Sequence, residues 1–318
     1  MPVSMADVAA AAGVSAQTVS RVANGSPRVD PATRARVEKA MGDLGYRMHR
    51  AARALRTGQT STIGLVVSTL ASVGNSRMLQ AISEAAAARD YALAVVTVGE
   101  RGIRDAFARL RSQGVDGAVV LNEATELVRD APPADLHLVV VDSPPDERFS
   151  IVQTDHAGGA RAAVDHLIAL GHDTVHHIGG PARSFAATER ERGWRAALTD
   201  AGRPTPEPVR GDWTSASGHA AVSALTDATA VFVANDQMAL GALRAFADAG
   251  RRVPEDVAVV GFDDIVDAAE YRPPLTTVRQ DFDALGRDAV AALIAAIEGG
   301  APVAQTVPAT LVVRASAR

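Results

Sequence analysis

The 318-residue chain has no cysteine. Disulfides, a thiol nucleophile and cysteine-ligated zinc are thereby excluded, and the composition suits a reducing compartment. Lysine is nearly absent: Lys39 stands alone, and every other basic residue is arginine. No apolar run reaches membrane-spanning length, and the N-terminus lacks an apolar signal region, so no membrane partner and a cytoplasmic location are expected. Catalytic fingerprints are missing too. There is no G-x-G-x-x-G, no phosphate-binding loop at Gly158-Gly159 and no G-x-S-x-G elbow. The carboxylates form no recognisable acid-base pair. His172 follows the Leu170-Gly171 turn, while His176 and His177 sit side by side on a strand and so point to opposite faces. No metal, no cofactor and no enzymatic activity are expected.

What is present begins at Met5. Met5, Val8, Ala9 and Ala12 recur at helical spacing. Gly13 can supply the left-handed backbone of a tight corner, and Ser15 is placed to cap a second helix. That helix buries Val19 and Val22 and shows Ala16, Gln17, Ser20 and Arg21 on its other face. Gln and Arg are side chains that pair with purine edges in a major groove. The pattern is a helix-turn-helix whose second helix reads DNA. A third helix follows from Pro31, with Asp30 as cap and Ala32, Val37, Ala40, Met41 and Leu44 as its apolar positions, ending at Gly45. The candidate DNA-facing set is Ser15, Ala16, Gln17, Thr18, Ser20, Arg21 and Asn24, with Arg28 and Thr33.

Charge separates along the chain in the same sense. Residues 1–60 hold nine Lys and Arg against four Asp and Glu, a net of +5. The whole chain is −5, so the remainder carries −10. A basic head on an acidic body is the footprint of a DNA-binding module.

After Thr60 short apolar runs alternate with alanine-rich helical stretches. The runs are 63–67, 93–98, 117–121, 138–141, 174–178, 230–233 and 257–261. Helical patterns lie between them at 78–89, 103–113, 159–170, 190–201, 218–225 and 238–249. Such alternation means parallel sheets built from βαβ units. The strands are too many for one comfortable sheet, so two lobes are expected. In two-lobed α/β bodies, ligands sit at the carboxyl ends of strands. Two strands lead into polar residues there: Asn235-Asp236-Gln237 and Phe262-Asp263-Asp264. Trp213 follows Gly211-Asp212 in a polar loop, where an aromatic face suits the C–H face of a sugar ring. For Asp236 and Asp264 a helix-cap role and a ligand contact remain equally open.

Several motifs together resemble the lactose repressor (LacI/GalR) family of bacterial transcription regulators. They are Asp7-Val8-Ala9, Gly13-Val14-Ser15, Thr18 to Asn24, Gly45-Tyr46, Val233 to Gly241, Val253 to Asp264, Pro273 to Val278 and Gln280-Asp281-Phe282. The resemblance runs nearly end to end. It implies an α/β chain: an all-α helix-turn-helix head over 1–46, a hinge helix and linker over 47–60, and a two-lobed, periplasmic-binding-protein-like (type I) body over 61–318. The lobes would exchange chain near Asp155, Phe282 and Pro308. Arg50 to Gly58 resembles the family's hinge helix, with Arg50, Ala52 and Arg53 on DNA and Leu55 as the wedge that opens a minor-groove step.

The resemblance also implies function. The expectation is a repressor of a carbohydrate-utilisation operon, released from a pseudo-palindromic double-stranded operator by a small sugar or glycoside. Corepression is the alternative sign, and a transport-type sugar-binding protein is the rival that the DNA-reading head argues against. Sugar contact carries over to Asp263, Asn235, Gln237, Trp213 and Phe282. The N-terminal-lobe rim, with Ser72, Asn75 and Met78, is more polar than in a galactoside-binding member, and Ser184, Phe185 and either Glu189 or Arg190 are expected to line the site. Galactoside-binding members have Asp where this chain has Gly158 and Arg where it has Thr188, which argues against a simple β-galactoside. The chain is expected to form a homodimer. After Val313 it reads Arg-Ala-Ser-Ala-Arg, with no apolar heptad to seam dimers into a tetramer.

Overall fold

The computed structural model describes residues 3–23, 26–46, 59–122, 124–130, 132–133 and 135–318. The chain divides into two compact units, Met1–Ser61 and Thr62–Arg318.

In the first unit three helices pack around a small aliphatic core: α1 (Met5–Ala12), α2 (Ala16–Ala23) and α3 (Pro31–Leu44). Val8, Ala9, Ala12, Val19, Val22, Val37 and Ala40 are buried together. The corner between α1 and α2 turns on Gly13, at φ 63°. Ser15 Oγ accepts the Thr18 amide at 3.2 Å, so it caps α2 as its position predicts. Asp30 caps α3 through the Thr33 amide at 2.9 Å, and Gly45 closes α3 at φ 64°. Ala32 and Leu44 differ from expectation. Both are exposed, because three short helices have room to cover only the inner stripe of α3.

The second unit holds two six-stranded sheets. The first is built from β1 (Thr62–Val67), β2 (Ala92–Thr97), β3 (Gly117–Leu121), β4 (His137–Val141), β5 (Ser150–Thr154) and β11 (Ala304–Val307), in the order β11-β5-β4-β3-β1-β2, all neighbours parallel. The second contains β6 (His176–Gly179), β7 (Val209–Arg210), β8 (Ala230–Val233), β9 (Ala258–Asp263), β10 (Thr276–Arg279) and β12 (Thr310–Val312). Its order is β12-β10-β9-β8-β6-β7, with β12 alone antiparallel.

Helices cover these sheets. In the first lobe they are α4 (Val73–Ala87), α5 (Gly102–Ser112) and α6 (Ala124–Asp130); in the second, α7 (His156–Ala169), α8 (Phe185–Asp200), α9 (Ser215–Ala221) and α10 (Asp236–Asp248). α11 (Phe282–Ile297) returns to the first lobe and packs on α4, β4 and β5. The chain therefore crosses between lobes three times: from β5 to α7, from β10 to α11, and from β11 to β12. Fully buried runs such as Val119 to Leu121 and Val231 to Val233 read as continuous apolar strands because both faces are covered.

The two adjacent histidines part as strand geometry requires. His177 is buried, stacked on Phe232 at 4.9 Å and on Trp194 at 5.2 Å. Burial pushes its pKa down to about 4, so it serves as a neutral core ring. His176 is half-buried on the other face. Among the described residues, no helix is long and apolar enough to cross a membrane.

Candidate functional site

A cavity lies between the lobes at the carboxyl ends of their strands. It is lined by Ser72, Gly74, Met78, Asn122, Asp142 and Leu285 from the first lobe and its returning helix, and by Ser184, Ala186, Arg190, Trp213, Asn235 and Asp263 from the second. Gln280 and Phe282 line it from the crossing segment. Helix starts place many of these groups. Ser72 caps α4 through the Asn75 amide, Ser184 caps α8 through the Ala187 amide, and Asn235 caps α10 through the Met238 amide at 2.9 Å. A strand end that becomes a helix start needs a small polar cap, and the same cap then faces the crevice.

Backbone strain collects here. Seven non-glycine residues among those described have positive φ, and four of them line this cavity: Asn122 (46°), Asp142 (57°), Trp213 (75°) and Asp263 (118°). Asn and Asp tolerate the left-handed region, whereas Trp213 does not adopt it without cost, of order 1–3 kcal/mol. Such a concentration marks a place where side-chain direction outranks local comfort.

A buried chain of polar groups supports the floor. Arg190 is 4% exposed. Its guanidinium lies 3.5 Å from Asp263 Oδ1, its Nε donates to His156 Nδ1 at 3.3 Å, and its Nη1 donates to the Ala234 carbonyl. The same guanidinium sits 3.9 Å from the Phe262 ring centroid and 5.6 Å from that of Trp213. Asp142, on the first lobe, lies 2.9 Å from His156 Nε2 on the second. Burial pushes the Asp142 carboxyl up, but His156, the Thr154 amide and Arg190 together outweigh it and hold the group below the usual carboxylate range. For Asp263 burial wins, and its pKa is raised despite Arg190 and Gln280. Gln280 joins the lobes: its Nε2 donates to Asp263 Oδ1 at 2.7 Å, and its Oε1 accepts from Thr154 Oγ1 at 2.7 Å.

Of the expected effector residues, Ser72, Met78, Ser184, Arg190, Trp213, Asn235, Asp263 and Phe282 line the cavity, and Asn75, Phe185 and Gln237 do not. Gln237 spends its Oε1 on the Val73 amide at 2.9 Å, bridging the lobes instead of facing in. Asn75 is buried behind the wall, with its Nδ2 on the Thr69 carbonyl at 2.9 Å. Phe185 is the first residue of α8, half-buried beside the cap.

The two departures from galactoside-binding members also lie off the wall. Thr188 is exposed and donates to the Ser184 carbonyl at 3.0 Å. Gly158 sits in the first turn of α7, where a β-carbon would stand 2.1 Å from the capping Asp155 carboxylate. As Gly and Thr, the two positions contribute no group to the cavity wall. Asp236 and Asp264 are likewise structural. Asp236 accepts from Thr277 Oγ1 at 2.6 Å and the Ile265 amide at 2.9 Å, and Asp264 is held by Arg279 and Arg314 at 2.7 Å each.

Asn122, Asp142 and Gln280 were not foreseen. All three directly follow strands, the same signal that pointed to Asn235.

In the three-helix unit, Ser15, Ala16, Gln17, Arg21 and Arg28 are exposed, while Thr18, Ser20 and Thr33 are half-buried. Asn24, Arg50, Ala52, Arg53 and Leu55 lie outside the described residues.

Residues 4–48 match the model for bacterial regulatory proteins of the lacI family, and residues 164–317 match that for periplasmic-binding-protein-like domains. The lactose operon repressor of Escherichia coli K12 is 36% identical over 327 residues, covering 98% of this chain and 90% of its own length. The chain belongs to the lacI family of bacterial regulatory proteins. It is thus a DNA-binding transcription regulator, with the α/β architecture of that family. The regulator CelR of Thermobifida fusca is 40% identical, covering 92% of this chain and 91% of its own. Among solved structures, the lac repressor dimer bound to operator and the anti-inducer ONPF superposes with a TM-score of 0.86 at 35% identity, covering 100% and 99% of the two chains. The CelR–cellobiose complex gives 0.75 at 35% identity, covering 99% of each.

Proposed function

We propose that the protein represses an operon for carbohydrate use and releases its operator when an uncharged sugar or small glycoside enters the cleft. The observation that carries this reading is the composition of the cavity wall. It combines carboxylate, amide and hydroxyl groups at strand ends with the Trp213 ring, the set that pairs vicinal hydroxyls and packs a sugar's C–H face. Arg190, the one arginine on that wall, is engaged by Asp263, and Asp142 adds a second negative charge nearby. A phosphate or carboxylate on the ligand would meet net negative surroundings, so the preferred ligand is neutral. The relative whose structure is a cellobiose complex makes a disaccharide a natural first probe.

In this reading the head over 1–46 supplies the reading helix, with Gln17 and Arg21 on base edges and Ser15, Ala16, Thr18, Ser20, Asn24, Arg28 and Thr33 around them. Residues 47–60 act as the hinge, with Arg50, Ala52 and Arg53 on DNA and Leu55 as wedge. The body over 61–318 pairs as a homodimer, as in the lac repressor dimer, and presents two heads to a pseudo-palindrome.

The test has two steps. An operator is first selected from random duplex DNA with the full chain. Its affinity is then measured with cellobiose, lactose, isopropyl thiogalactoside and glucose 6-phosphate. A neutral sugar should weaken binding by about 5–150-fold, the range expected for allosteric coupling, and glucose 6-phosphate should do nothing. If the phosphorylated sugar alone responds, or no sugar does, the reading is wrong.

A further inference from the structure

Asn75 is 1% exposed and stands behind the cavity wall, next to a residue that forms it. Its Nδ2 lies 2.9 Å from the Thr69 carbonyl oxygen. A backbone carbonyl can only accept, so the Asn75 carboxamide has one allowed orientation: Nδ2 toward Thr69, Oδ1 away from it. That Oδ1 meets Asn122 Nδ2. An amide oxygen also only accepts, so Asn122 in turn must direct its NH2 group at Asn75. The polarity of one backbone carbonyl is passed through two side-chain amides into the cavity.

We infer that Asn75 is a positioning residue that makes Asn122 present an acceptor, its Oδ1, to the ligand, so that the site demands a hydroxyl donor at that point. This inference deepens the sugar-binding reading above and rests on it for the identity of the ligand. Asn122 differs from the other two amides of the wall. Gln280 commits its oxygen to Thr154 and its nitrogen to Asp263, and Asn235 commits its oxygen to the Met238 amide and its nitrogen to the Trp213 carbonyl. No described protein group donates to Asn122 Oδ1. Asn122 also has little freedom to move: its φ of 46° fixes the side-chain direction, and its carbonyl accepts the Thr125 amide at 2.8 Å. What Asn75 adds is the choice between the two ends of the amide. Without it, rotation by half a turn would offer the ligand a donor instead, and an ether oxygen or fluorine would do as well as a hydroxyl.

The chain has four asparagines, at 24, 75, 122 and 235, so asparagine-selective 15N labelling gives a readable side-chain spectrum of the full protein without any ligand. In the wild type the Nδ2 protons of Asn122 should exchange with solvent about tenfold more slowly than those of a free amide, and Asn75→Ala should abolish that protection while leaving Asn235 unchanged. Rapid exchange at Asn122 in the wild type overturns the inference whether or not the variant folds. So does an Asn122 signal that ignores Asn75→Ala.

The second arm uses cellobiose and its monodeoxy and monofluoro derivatives. In the wild type, one hydroxyl should lose about tenfold in affinity on deoxygenation, with no recovery on fluorination, since fluorine only accepts. In Asn75→Ala that one penalty should vanish while the others stay. Equal shrinkage at every position overturns the inference, as it would show general loosening. If no derivative or parent sugar binds the wild type, the sugar reading fails, and the exchange data still decide the relay.

Discussion

The indole of Trp213 rests against the backbone of Gly180, so close that a β-carbon on residue 180 would stand 2.3 Å from the ring. Gly180 is the first residue after β6, and Trp213 follows β7, so two neighbouring strands set the ring's position jointly. Gly180→Ala should push the indole out of place and weaken sugar response by about tenfold or more, the scale of a misplaced contact. Operator affinity without sugar should stay at the wild-type value. Fluorescence anisotropy on labelled operator, with and without cellobiose, reads both quantities. A normal sugar response would show that the ring takes no part in the site.

Arg190 offers a stability prediction. Both it and Asp263 are almost completely buried, so their pairing is little screened by solvent. Arg190→Met should destabilise the body by about 3–5 kcal/mol at neutral pH, because Asp263 and Asp142 would then share a pocket without their cation. The deficit should narrow in acid, where Asp263, already raised by burial, takes up a proton. Urea unfolding at two pH values measures this. A loss below about 1 kcal/mol would contradict the buried-pair picture.

Asp236 should behave in the opposite sense. Burial raises its pKa well above the ordinary value, and the charge of Asp263 adds to the effect. Above the unfolded pKa, near 4, the folded state holds a proton that the unfolded state has lost. Its contribution to stability is therefore complete in acid and falls as pH rises toward the folded value. Asp236→Asn cannot ionise, yet keeps the geometry: Oδ1 can take the Ile265 amide, and Nδ2 can donate to a turned Thr277 hydroxyl. The stability of the variant relative to wild type should improve steadily from about pH 4 upward. A difference that does not change with pH would mean that Asp236 is charged in the fold.

On the head, Arg21→Ala should cost about 1–3 kcal/mol of specific operator binding and little on random DNA, since Arg21 is exposed on the reading helix. Competition gel shifts with both DNAs distinguish the two. Equal losses would make Arg21 a backbone contact.

Sequence alone carried the head and the periodic parts of the body. Gly13, Ser15, Asp30 and Gly45 announce their roles because caps and corners are local chemistry. The runs at 117–121 and 230–233 announce buried strands because both faces are apolar. β5, β10 and β11 were less visible: Ser150–Thr154, Thr276–Arg279 and Ala304–Val307 are short and threonine-rich or half polar. Ladder pairing to distant strands, not local hydropathy, makes them strands. In the cavity, strand-end polarity pointed to Asn235 and Asp263, and the same rule applied to β3 and β4 yields Asn122 and Asp142. What no local rule could show is which polar groups use themselves up on each other. Gln237 and Asn75 look like ligand contacts in sequence, and their hydrogen bonds to Val73, Thr69 and Asn122 appear only once distant segments meet.

The three crossings between the lobes have a consequence for how the protein is made. The first sheet takes β11, at Ala304–Val307, on its outer edge, and its core includes Leu285, Ala289, Val290 and Leu293 of α11. Every residue through Val307 must therefore leave the ribosome before the lobe that starts at Thr62 can close. Until then, α4 and its neighbours wait with an uncovered apolar flank, and a nascent chain stalled before residue 282 should be the species that chaperones hold and proteases cut.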